Sequence, residues 1–96
     1  MKMQRHFETK NEAAQREAVQ IRRMIVDLDR TLQILVCDIA TEEERAQVSD
    51  PSDVGYPVLA RVTAARRDNL KMTIAALQER LLVIGARASE AITIAA

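Results

Sequence analysis

Few side chains in this sequence could act as acid, base, nucleophile or metal ligand, and those few are scattered. His6 is the single histidine and Cys37 the single cysteine. A metal site needs several nitrogen, sulfur or oxygen ligands converging on one point, and His6 stands in a polar N-terminal segment without them. A catalytic thiol needs a base beside it to hold the thiolate, and the one histidine is about thirty positions from Cys37. The two glycines, in "DVGYP" and "VIGAR", are too isolated to build a loop that cradles phosphates. A lone cysteine forms no intrachain disulfide. These residues predict no catalytic site, no metal and no cofactor, hence a protein that is not an enzyme.

One stretch tests that expectation. "IRRMIVDLD", residues 21–29, resembles the first helix of the small all-helical chorismate mutases, with matches at Arg22 and Asp29. The resemblance implies two further cations to clamp a dianionic substrate, an arginine near the end of that helix and a lysine beyond it. Ile39 and Asp50 stand there instead. The likeness covers nine residues and then fails, which leaves a small helical enzyme as the least favoured reading.

The elements that carry these residues are legible from composition and spacing. Ninety-six residues make one domain at most. Hydrophobic residues are 48% of the chain, yet its only aromatics are Phe7 and Tyr56, so any core is built from Leu, Ile, Val and Ala. Fourteen basic residues balance 14 acidic ones, without the cationic excess that phosphate contacts demand, so no nucleic-acid partner is expected. The N-terminus lacks the apolar core of a signal peptide. The apolar runs "LLVIGA" and "AITIAA" are far too short to span a bilayer. A cytoplasmic protein is expected, peripheral to a membrane only through its partners.

Apolar or small residues recur at Phe7, Ala14, Ala18, Ile21, Ile25, Leu28, Leu32, Leu35, Ile39 and Ala46, with Asn11 and Glu42 filling the gaps. A second series runs Leu70, Ile74, Leu77, Leu81, Ile84, Ala88, Ala91, Ala95. Both alternate steps of three and four, the seam of a coiled coil. Paired antiparallel, the two series give facing residues whose numbers add to 105 or 106 through seven layers, from Leu35–Leu70 to Ala14–Ala91, centred on residue 53. The predicted fold is all-α, a two-helix antiparallel coiled-coil hairpin. Helix 1 covers about 7–48, the turn 49–57, and helix 2 about 58–90. Near the turn the seam reads as polar: Ile39 opposite Arg67, Glu42 opposite Thr63, Ala46 opposite Ala60. Charges there read as register pairs, Glu44 with Arg61 and Asp38 with Arg66 or Arg67. Val19, Met24, Val26, Ile34, Val36, Met72, Leu82, Val83 and Ile92 fall off the seam. A second copy, making a homodimeric four-helix bundle, or another protein would cover them.

The turn holds both prolines. Asp50 reads as a cap for one short helical turn over residues 51–54, with Asp53 completing a box-like pattern. Gly55 ends it, and Pro57 restarts a helix at its first position. Tyr56 either fastens the turn to the helices or contacts a partner.

"EEERA", "SDP", "YP" and "RRDNL", in that order within residues 42–81, resemble the turn and second helix of the flagellar export protein FliJ family as it occurs in alphaproteobacteria. The resemblance implies a non-enzymatic coiled-coil stalk and chaperone of the flagellar type III export apparatus. Its implied partners are the export ATPase, the export gate protein and flagellar chaperones. The positions it favours for partner binding are Tyr56, Pro57, Arg66, Arg67, Asp68 and Asn69. The alternative is an unrelated helical-hairpin scaffold acting as a homodimer.

Overall fold

The computed structural model describes the backbone from Lys2 to Ala95 and the side chains from Lys10 to Ser89. It contains two helices, α1 (Lys2–Ala46) and α2 (Val58–Ala95), and no strand among the described residues. The chain is an all-α helical hairpin, as the paired seams predict. Nothing before Ala46 breaks a helix, since neither Gly nor Pro occurs there, and α1 accordingly extends further toward the N-terminus than the apolar series required. His6, Phe7, Ala91, Ile92 and Ala95 lie outside the described side chains.

Contacts divide the hairpin into two compact units. The first, Met1–Val26 with Ala75–Ala96, has a core of Ala18, Ile21 and Ile84, with Ala14, Ile25, Leu77 and Leu81 packed against it. Ile21 and Ile84, a predicted layer, are both in this core. Arg80 clasps one oxygen of Glu17, Nη2–Oε1 at 2.9 Å and Nε–Oε1 at 3.1 Å. The constant-sum register does not anticipate this pair, for it sets Glu17 level with Ala88. Both side chains are nearly half exposed, so the bridge stabilises by about 0–1 kcal/mol.

The second unit, Asp27–Ile74, contains the turn. Leu28, Leu32, Leu35 and Ile39 on α1, and Leu70 and Ile74 on α2, are buried or half-buried as the seam requires. Close to the turn the polar seam residues Glu42, Thr63 and Arg67 are half-buried as the register expects, but other residues supply the core there. Ile39, Tyr56 and Ala60 form a buried apolar cluster, backed by Val48 and Ala64. Ala46 does not face Ala60; it is exposed, because α1 ends there. The chain reverses so that Val48 and Tyr56, from the connection, cover Ala60 instead.

Candidate functional site

The connection is built from local devices, each with a residue responsible. The helix α1 stops in a Schellman motif. Gln47 takes a left-handed φ of 55°, its N–H donates to the Glu44 carbonyl at 3.2 Å, and the Val48 N–H donates to the Glu43 carbonyl at 3.2 Å. Glycine usually holds this position because a Cβ is disfavoured there, so the sequence carries no signal for this stop. That is why the expected end at 48 falls two residues late.

Residues 51–54 are not a helical turn. They belong to two successive turns, each led by an aspartate. The Asp50 carboxylate accepts the Ser52 N–H at 3.0 Å and the Ser52 hydroxyl at 2.8 Å, while the Asp53 N–H reaches the Asp50 carbonyl. The next turn repeats this: the Asp53 carboxylate accepts the Gly55 N–H at 2.7 Å, and the Tyr56 N–H donates to the Asp53 carbonyl at 3.1 Å. Side-chain capping of this kind offers the backbone an alternative to helix, and two aspartates three apart use it twice. The donated bonds from the Ser52 N–H and hydroxyl hold the Asp50 carboxyl below its ordinary value. A Cβ at Gly55 would lie 3.3 Å from the Asp53 carboxylate oxygen, a tight contact that would require the carboxylate to shift by a few tenths of an ångström. Pro57 stands one residue before its expected place: α2 begins at Val58, and the Pro57 carbonyl accepts the Arg61 N–H at 3.1 Å.

Tyr56 fastens the connection to the helices. Its ring is 6% exposed, and its hydroxyl donates to Glu43 Oε2 at 3.0 Å. Arg61 lies over the ring, 5.4 Å from its centroid, and reaches the Pro51 carbonyl at 3.0 Å. Burial first, then the bond to Glu43, raises the phenol above its ordinary value. These contacts replace the expected pair of Glu44 with Arg61: Arg61 turns to the loop, and Glu43 takes the Tyr56 hydroxyl. Arg67 pairs with its neighbour Asp68 at 3.0 Å. Among the described residues, Asp38 pairs with neither Arg66 nor Arg67.

Of the six residues singled out for partner binding, Tyr56 is therefore inside and Pro57 is half-buried, whereas Arg66, Asp68 and Asn69 are exposed and Arg67 is half-buried beside Asp68. Other surface residues, which the seam pattern does not single out, lie just before and among them. Val54 is 104% exposed and Val58 75%, with Leu59 and Val62 also open to solvent. Val58 and Val62 are four apart on the outward side of α2, with Arg66 one turn beyond. Their spacing carries a signal, since Val58, Leu59 and Val62 fall off the α2 seam while Val54 lies in the connection. The off-seam residues that were singled out, from Val19 to Val83, are exposed, and Cys37 is exposed on α1.

Arg22 and Asp29 are both exposed on α1, and neither has an ion-pair partner among the described residues. No group of three metal-ligating side chains occurs among the described residues, and no helix there is long and apolar enough to cross a membrane. The fold and surface thus define a class, the helical hairpin with exposed apolar faces. No protein-family model, curated protein or solved structure matches the chain.

Proposed function

We propose that this chain is a non-enzymatic coiled-coil adaptor that binds partner proteins at the turn end of its hairpin. The observation that carries the reading is the set of exposed apolar residues Val54 on the connection and Val58, Leu59 and Val62 at the start of α2, ahead of exposed Arg66 and Asn69, with the connection internally fastened. A preorganised turn loses little entropy when a partner docks, and exposed apolar surface rimmed by polar groups is characteristic of interaction sites. The resemblance of "EEERA", "SDP", "YP" and "RRDNL" to the FliJ family supplies the system: flagellar type III export, with the export ATPase, the export gate and flagellar chaperones as partners. In this reading the protein works in the cytoplasm and reaches the membrane only through the gate.

Binding of the purified chain to the export ATPase, the cytoplasmic part of the gate and flagellar chaperones tests the proposal. Val58→Asp with Val62→Asp should weaken the engaged complex at least about tenfold, because charges would then enter a desolvated contact. Cys37→Ser should leave it unchanged. Absence of binding to all three partners would overturn the flagellar assignment, and unchanged binding by the double variant would remove the turn from the interface.

A further inference from the structure

The first unit has a second surface with a different character. Between α1 and α2 runs an open groove of about 380 Å³, floored by Ala14, Ala18, Ile84, Gly85 and Ala88, with Arg22 at its rim. Beside it on α1 lies a shallower hollow of about 550 Å³ that includes Glu12 and Arg16. Gln15 and Val19 border both and form the ridge between them. A Cβ added to Gly85 would meet nothing within 4 Å, so the groove floor is open at that point.

The α1 residues of this face, Glu12, Gln15, Val19 and Arg22, are spaced three, four and three apart, the spacing of a helix-packing seam separate from the core. With Arg16, which borders the same hollow, the order along it from Glu12 to Arg22 is acidic, neutral, basic, apolar, basic. Neither Glu12 nor Arg22 has an ion-pair partner among the described residues. Such a face is complementary to itself in the antiparallel sense: turned end for end, it sets Glu12 against Arg22 and Gln15 against Val19. A two-fold axis then uses every contact twice, as isologous interfaces do. The ridges of the two copies meet at the centre, each Val19 against Gln15 of the other copy, beside the grooves that the small residues leave.

We propose that this face of the first unit is a homodimer interface, in which α1 packs antiparallel on α1 of a second copy and Glu12 pairs with Arg22 of that copy. The face is about 15 Å long and roughly two helix diameters wide, so it buries about 300–350 Å² per copy. That is under half of the ~800 Å² per partner of a standard stable interface. The dimer is accordingly concentration-dependent and coexists with monomer. It uses residues remote in sequence from the turn and does not depend on the flagellar reading.

Sedimentation velocity on the full chain, from about 5 to 500 µM at low and moderate salt, tests it across the range expected for a weak interface. The expected result is a reversible monomer–dimer equilibrium that weakens with salt. Glu12→Arg and Arg22→Glu, each alone, should raise the dimer Kd about tenfold or more, because like charges would meet twice. The double reversal, Glu12→Arg with Arg22→Glu, should restore it, since the two-fold pairing is then rebuilt with signs exchanged. Both residues are exposed, and circular dichroism checks that each variant keeps its helicity. A chain that stays monomeric throughout overturns the proposal. So does a dimer indifferent to the single reversals, or a double variant no better than the singles.

Discussion

The two units of this hairpin solve the same problem with different chemistry. In the unit that contains the turn, the core around Ile39, Tyr56 and Ala60 is fixed by directional contacts: the Tyr56–Glu43 hydrogen bond, the Arg61 guanidinium over the ring, and paired aspartate-led turns. In the unit formed by Met1–Val26 with Ala75–Ala96, the core among the described residues is aliphatic, its floor is small, and among them one partly exposed ion pair crosses between the helices. Directional bonds select one geometry and leave no room. Small apolar residues allow close approach and leave a groove beside it. The first arrangement suits a preformed surface, the second a face that is completed by association.

Substitutions can break that contrast, the largest effect first. Tyr56→Ala should lower the thermal midpoint by roughly 15 °C, since the ring is the centre of its cluster. Removal of Ile84 from the other core should cost less, because that site borders the open groove and can relax; an equal or larger fall for Ile84→Ala would reverse the comparison.

Next in size is a test of space. Ala60 has no exposed surface at all, so Ala60→Leu should overpack the cluster and destabilise by about 1–3 kcal/mol in urea denaturation. Ala88 lines the groove, and Ala88→Leu should stay within about 0.5 kcal/mol of the parent. Similar losses from both would mean that the two cores are equally full.

Alkaline pH probes the hydrogen-bonded unit alone. Tyr56 ionises higher in the folded chain than unfolded, because burial and Glu43 oppose the phenolate. Its contribution is therefore complete below pH about 10 and lost as pH rises through the folded value. The urea midpoint should fall in that window, and Tyr56→Phe should flatten the fall; an unchanged slope in the variant would assign it to other groups.

The smallest effects are gains. Gly85→Ala relieves backbone entropy inside α2, with open space for the new methyl, and should add about 0.5–1 kcal/mol. Gln47→Gly removes a left-handed side-chain penalty at the end of α1 and should add a similar or smaller amount. A loss at either position would show that the native side chain or the bare groove floor contributes something that the backbone geometry alone does not.

Much of the fold was legible because helices announce themselves by period. The seams from Ala14 to Ile39 and from Leu70 to Ala88 are buried or half-buried at each of their positions in the described range. The turn was legible in place but not in form. Asp50 caps as its chemistry suggests, whereas Asp53, expected to complete a box with it, leads a turn of its own, and Gln47 gave no warning, since a left-handed glutamine looks like any other glutamine in sequence. The partner-binding set was least legible. Tyr56 could face in or out, and only the position of Glu43 one helical turn before the stop decided that it faces in.

Residue spacing by itself determined that this chain is two helices folded back near residue 53, since a period of 3.5 admits one packed face on each helix and Pro and Gly admit one place to turn. Tertiary structure decided the rest: that the connection supplies its own core, and which charges pair. It also decided which apolar residues are left uncovered. Those outcomes depend on which groups arrive within bonding distance once the helices meet, and several side chains compete for each partner. Glu43 could have met an arginine as readily as a tyrosine, and the Schellman stop at Ala46 is what brought the tyrosine to it.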